Sequence, residues 1–89
     1  MLREKITIIN QLGLHARASA KLVSTAGRFS AKVSLCKDDR TVDAKSIMSV
    51  MLLAASCGME VEIETDGPDE HDAMEAVKAL INDKFGEGQ

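Results

Sequence analysis

The stretch Glu60-Val61-Glu62-Ile63-Glu64-Thr65 alternates charge and hydrocarbon at almost every step. Successive side chains of a strand point to opposite faces, so Val61 and Ile63 go inward while three glutamates stay in water. One buried and one solvated face is the pattern of an antiparallel sheet covered on a single side. Immediately downstream, Gly67-Pro68-Asp69 breaks the strand and starts a helix, with Asp69 as its N-cap and acids in the first turn. Ala73, Val77, Leu80 and Ile81 stripe that helix to about Lys84, and Gly86-Glu87-Gly88-Gln89 reads as a frayed tail.

The same two-residue period recurs upstream. Residues 32–37 put Val33 and Leu35 inward and Ser34 and Cys36 outward. Asp38-Asp39 makes a tight hairpin loop, and Val42 with Ala44 continues the inward face. Residues 3–9 form another half-buried strand, with Ile6 and Ile8 on one side and Lys5, Thr7 and Ile9 on the other. Gln11-Leu12-Gly13 is a turn. From Ala16 to about Ala26 a helical stripe follows through Leu22, Val23 and Ala26, with Ser19 or Ala20 one turn earlier, and Gly27 punctuates its end. Arg17, Lys21 and Arg28 fall largely outside the stripe. With a short helix over residues 46–55, the order is strand, helix, strand, strand, helix, strand, helix. This predicts an α+β domain of two layers, helices over one face of a mostly antiparallel sheet. No internal repeat, linker or low-complexity run interrupts residues 1–89, which read as one domain.

Composition narrows the function. At 45% hydrophobic and 28% charged, the chain is that of a soluble globular protein. No apolar run reaches membrane-spanning length and no signal peptide is evident, so the expected location is cytoplasmic, away from membrane. Cys36 and Cys57 lie far apart, outside any metal spacing, and read as reduced, partly buried thiols; neither a metal site nor a cofactor is expected. Residues 1–58 carry nine Lys/Arg against four Asp/Glu, whereas residues 59–89 carry two against ten. A basic first half suits phosphate and acidic partner surfaces. Nucleic acid is disfavoured, because Phe29 and Phe85 are the only aromatic residues and no dense basic cluster exists.

The chemistry concentrates in Gly13-Leu14-His15-Ala16-Arg17, at a strand-to-helix turn. Glycine permits the sharp turn, and His15 falls where the first helical N–H groups have no intrahelical partner. Those donors and the helix dipole favour an anion. An imidazole there can take up a phosphoryl group, and Arg17 can clamp its oxygens. On these five residues alone, an ordinary surface histidine or weak cap is the commoner reading. His71, among acids early in the last helix, reads as solvated surface.

Residues 46–55, Ser-Ile-Met-Ser-Val-Met-Leu-Leu-Ala-Ala, are apolar nearly all round. Val50, Leu53 and Ala54 suffice for one buried stripe, which leaves Ile47, Met48 and Met51 for a docking patch. Ser46 sits at the N-cap. Phosphate there would meet the helix N-terminus and bring negative charge beside the patch, making it a candidate switch.

Taken together, Gly13-Leu14-His15-Ala16-Arg17 and Lys45-Ser46-Ile47-Met48-Ser49-Val50-Met51 resemble the HPr family, the histidine-containing phosphocarriers of the bacterial phosphoenolpyruvate-dependent phosphotransferase system. The likeness spans nearly the whole chain, including the Gly67-x-Asp69-Glu70 helix start. It implies an open-faced β-sandwich, a four-stranded antiparallel sheet under three helices. It implies that Nδ1 of His15 takes phosphate from phospho-enzyme I and passes it to enzyme IIA components. Arg17 would stabilise the phosphorylated state, and the amides of Ala16 and Arg17 would hold the phosphate. Ser46 matches the position phosphorylated by HPr kinase/phosphorylase, and Ala20, Ile47, Met48 and Met51 fall at partner-docking positions. Ala18 departs from the family's usual proline, which presets φ in the first helical turn; alanine keeps the helix but leaves the site more mobile.

The leading expectation is therefore a monomeric, stoichiometric phosphoryl carrier and not an enzyme, since no Gly-rich nucleotide loop or carboxylate–metal constellation is present. The resemblance extends to nitrogen-type regulatory carriers. Two further readings stay open on the residues: a regulatory interaction module acting mainly through Ser46, and an unrelated ligand-binding α+β domain.

Overall fold

The computed structural model describes residues 1–86. Among them, β1 (Leu2–Thr7), α1 (Ala16–Ala26), β2 (Lys32–Lys37), β3 (Arg40–Asp43), α2 (Ile47–Leu53), β4 (Glu60–Asp66) and α3 (Glu70–Asn82) follow one another in the expected order, closed by a 3₁₀ turn at Lys84–Gly86. The sheet order is β1-β4-β2-β3 and every pair is antiparallel. The helices share one face, which is the two-layer arrangement the alternation predicts and the open-faced sandwich the resemblance implies.

β4 runs through the middle of the sheet. Val61, Ile63 and Thr65 are buried on its helix side, and the Thr65 hydroxyl donates to the Glu70 carbonyl at 3.0 Å. On the open side Glu60 is exposed. Glu62 and Glu64 are only half-exposed, because cross-strand neighbours flank them: Lys5 and Cys36 beside Glu62, Arg3 and Ser34 beside Glu64. For the same reason Ser34, although it faces outward, is buried. Val42, on the edge strand β3, is only half-buried.

Leu22, Leu35, Ile63, Val77, Ile81 and Phe85 are among the fully buried core side chains. Each contributes about 1.5–3 kcal/mol relative to exposure. In α1, Ala18 and Ser19 are buried while Ala20 is exposed and Val23 half-buried, so the core stripe is rotated from the predicted one. Gly27 caps α1 in right-handed backbone (φ −66), so its place rests on no left-handed requirement. In α2 only Val50 and Leu53 are buried; Ala54 is the exposed left-handed C-cap (φ 56). In α3, Met74 is buried where Leu80 is only half-buried, and the helix stops at Asn82. Lys84 and Phe85 then take positive φ and fold the Phe85 ring back into the core. Gly86 belongs to this turn, its N–H donating to the Asp83 carbonyl at 2.9 Å, and is not the start of a fray. The expected fraying of Glu87–Gln89 lies outside the described residues.

Asp69 stands at the N-cap of α3 but makes no side-chain cap bond. Its carboxylate accepts instead from the Ser30 and Ala31 amides at 2.9 and 2.7 Å, tying the α3 start to the segment before β2. The Ser30 amide, with that of Ala31, holds the carboxyl below its ordinary pKa. Glu70 accepts from the Gly67 amide at 3.1 Å, and that bond lowers its pKa, helped by the N-terminal ammonium 3.0 Å away.

Candidate functional site

β1 delivers the chain to a loop that ends at α1. Ile8 continues the β1–β4 pairing just past the strand, donating to the Met59 carbonyl at 2.9 Å and accepting from the Gly58 amide at 2.7 Å. Asn10, fully buried, then closes a turn in which the Gly13 amide donates to the Asn10 carbonyl at 3.1 Å. Gly13 takes a left-handed φ of +65, and a Cβ on it would lie 2.6 Å from the Ala55 carbonyl oxygen. The Leu14 amide donates to that carbonyl at 2.9 Å. The loop thus sits on the segment that leaves α2.

His15 is the N-cap of α1, in extended backbone at φ −75 and ψ 179, with its side chain half-buried. The Arg17 amide donates to Nδ1 at 3.2 Å. A ring nitrogen does here what a serine or aspartate oxygen ordinarily does at an N-cap. Because Nδ1 accepts, a neutral ring carries its proton on Nε2 and keeps a lone pair on Nδ1. The intrahelical ladder begins with Ser19, whose amide donates to the His15 carbonyl at 2.8 Å and whose hydroxyl donates to that of Leu14 at 3.2 Å. The Ala16 and Arg17 amides precede the ladder and face the helix mouth. The Arg17 side chain is exposed and Ala18 is buried within an unbroken first turn.

At the far end of α2, Ser46 is the N-cap, its Oγ accepting from the Ser49 amide at 3.4 Å. The other end is held by cations of the β2–β3 hairpin. Lys37 Nζ reaches the Leu53 and Ala54 carbonyls at 3.3 and 3.5 Å, and Arg40 Nη1 reaches that of Leu52 at 3.2 Å. Positive charge at a helix C-terminus is favourable. Ile47, Met48 and Met51 are exposed, as is Ala20 on α1. Leu12 and Leu52 are also exposed, at 68% and 63%, and reading the sequence alone misses both. The signals are a leucine inside a polar turn, and a second leucine on a helix already apolar all round.

Cys57 is exposed and not partly buried, since it lies in the turn before β4; Cys36 is half-buried. Among the described residues, Cys36, Glu62 and Glu64 bring ligand atoms within 4.8 Å of one another and could in principle share a cation. They stand on the open sheet face. Arg3 Nε already holds Glu64 at 3.1 Å, and burial raises the Cys36 thiol above its ordinary pKa, which disfavours thiolate. A groove of ≈ 540 Å³ on that face is lined by Lys5, Cys36, Lys37 and Glu62, among others, and none of the His15 loop. His71 is exposed, as expected. No helix of the described residues is long and apolar enough to cross a membrane.

A family model described as the PTS HPr component phosphorylation site matches residues 2–83. The chain belongs to the HPr family. The phosphocarrier protein HPr of Cupriavidus necator is 60% identical over the full length of both chains. A crystal structure of HPr-C-His from Thermoanaerobacter tengcongensis superposes with a TM-score of 0.95 at 45% identity, covering 98% of each chain. A structure described as an HPr dimer from the same organism gives 0.79 at 45% identity over 98% of this chain and all of that one. The chain is accordingly a phosphocarrier of the phosphotransferase system, in which the family's partners are enzyme I and IIA components.

Proposed function

We propose that Nδ1 of His15 accepts a phosphoryl group from phospho-enzyme I and hands it to an enzyme IIA component. The observation that carries this reading is the 3.2 Å bond from the Arg17 amide to Nδ1 at the mouth of α1. In that bond Nδ1 is the acceptor, and the Arg17 amide lies close enough to the ring to support a role in holding phosphate oxygens. In the transfer the Nδ1–phosphorus bond forms as the bond to the donor breaks, and the Nε2 proton stays where it is. The Arg17 amide shifts from the ring to a phosphate oxygen, the Ala16 amide joins it, and the Arg17 guanidinium offsets the added charge. The group then waits for a partner. The chain is a stoichiometric carrier that works as a cytoplasmic monomer.

Partners dock over α1 and α2 through Ala20, Ile47, Met48 and Met51, extended by Leu12 and Leu52. Ser46 is the regulatory acceptor for HPr kinase/phosphorylase, because phosphate at the α2 N-cap sets negative charge beside this apolar surface. The Ser46 cap favours that second, regulatory role alongside the carrier role.

The test is phosphopeptide mapping after separate treatment with phosphoenolpyruvate plus enzyme I and with ATP plus kinase. The first should add one acid-labile, base-stable phosphate at His15, absent in His15→Ala; the second should label Ser46. Labelling elsewhere, or none from enzyme I, would refute the carrier assignment.

A further inference from the structure

We infer that Asn10 is a positioning residue for phosphoryl transfer, acting through the peptide unit that joins Gly13 to Leu14. Both polar ends of that unit are taken. Its carbonyl accepts from Asn10 Nδ2 at 2.8 Å, and its N–H donates to the Ala55 carbonyl at 2.9 Å. The two partners come from opposite sides, Asn10 from the end of β1 and Ala55 from the end of α2, so the plane cannot rotate without breaking one of them. Glycine on the carbonyl side would otherwise make rotation easy, since it resists few backbone angles. Asn10 is fully buried, and its own carbonyl binds the Gly13 amide, so the loop is closed twice over four residues.

The orientation of this plane sets how the chain enters Leu14 and then His15. The next carbonyls along, those of Leu14 and His15, are held by the Ser19 hydroxyl and amide. The imidazole is therefore the first side chain after a run of fixed backbone. A reacting group displaced by about an ångström can lose a hundredfold in rate. A side-chain amide that locks a glycine peptide two residues upstream supplies that precision without touching phosphate. This inference rests on the reading of His15 as the phosphoryl acceptor.

The test compares wild type, Asn10→Asp, which keeps the shape but removes the donor, and Asn10→Ser, which removes the reach. Measured on folded protein with enzyme I and phosphoenolpyruvate, both should lower kcat about 10-fold or more with little change in KM. In ¹⁵N spectra of the unphosphorylated proteins, the His15 Nδ1 and Arg17 amide resonances should shift together. That second readout does not depend on transfer. A wild type that takes no phosphate at His15 would sink the carrier reading itself, whatever the spectra show. A wild type that takes it, alongside variants with unchanged kcat and unchanged Nδ1 and Arg17 signals, would overturn the role of Asn10. Failure of both variants to fold would assign Asn10 to stability alone and overturn it equally.

Discussion

Leu14 and Ala55 are joined by a single backbone hydrogen bond of 2.9 Å, and through it the end of α2 becomes the seat of the histidine loop. α2 is seven residues, about 10 Å long, with Ser46 at one end and this seat just past the other. The exposed side chains of Ile47, Met48, Met51 and Leu52 lie between them. The Ser46 cap thus stands at one end of this short helix, and His15, at the start of α1, is tied to its other end through Leu14.

Gly13→Ala should be among the most damaging loop changes, because Gly13 is buried. The residue sits at φ +65, and its new Cβ would fall 2.6 Å from the Ala55 oxygen and 2.8 Å from Ser56 Cα, both backbone atoms. A loss of about 2–3 kcal/mol is expected. Urea unfolding of the variant beside wild type would measure it.

Ser46→Ala and Ser46→Asp should separate capping from charge. Alanine removes the acceptor for the Ser49 amide and should lower stability by about 1 kcal/mol. Aspartate can cap as well as serine, so its stability should stay near wild type while phosphorylation by enzyme I slows. Paired melts and initial rates check both arms.

Met48→Ala and Leu52→Ala should leave stability within about 0.5 kcal/mol, because both side chains are mostly exposed, at 65% and 63%. If they anchor a partner, each should weaken association by about 1 kcal/mol, roughly fivefold in KM for enzyme I. Leu52 is the sharper case, since nothing but its exposure nominates it.

Asp69 makes a prediction in pH. Its folded pKa is depressed, chiefly by the Ser30 amide, so it binds fewer protons folded than unfolded around pH 4. Its contribution is therefore complete above the ordinary carboxylate range and disappears as pH falls through the lower folded value. Glu70 adds the same sign through the Gly67 amide. Asp69→Asn should be less stable at pH 7 and should lose less further stability below about pH 4 than wild type. Thermal melts across pH 2–7 would show whether the two curves converge.

Much of this architecture was legible in the chain. Alternation in 60–65 and 32–37, and the helical stripes of α1 and α3, are decided by near neighbours along the backbone. The side chain that will face oil or water is set by a fixed period, so strand faces and element order follow from local pattern. His15 with Arg17 at the start of a helix, and Ser46 at the start of another, are equally local, because a cap bond spans only two or three residues.

What tertiary structure alone decided are contacts between segments far apart in sequence. Asp69 has the composition of an N-cap, yet two amides 38 and 39 residues away compete better for its carboxylate. Val23 and Leu80 carry the right period but meet partial solvent, because the packing of helices on the sheet turns α1 toward Ala18 and α3 toward Met74. Phe85 falls just past the predicted end of the last helix at about Lys84, and the positive φ of Lys84 and of Phe85 itself returns it to the core. The Gly13–Leu14 peptide, pinned between Asn10 and Ala55, is the clearest instance. The sequence names the histidine proposed as acceptor, but the loop before it is seated by a hydrogen bond that exists only once the segments following β1 and α2, far apart in the chain, have met.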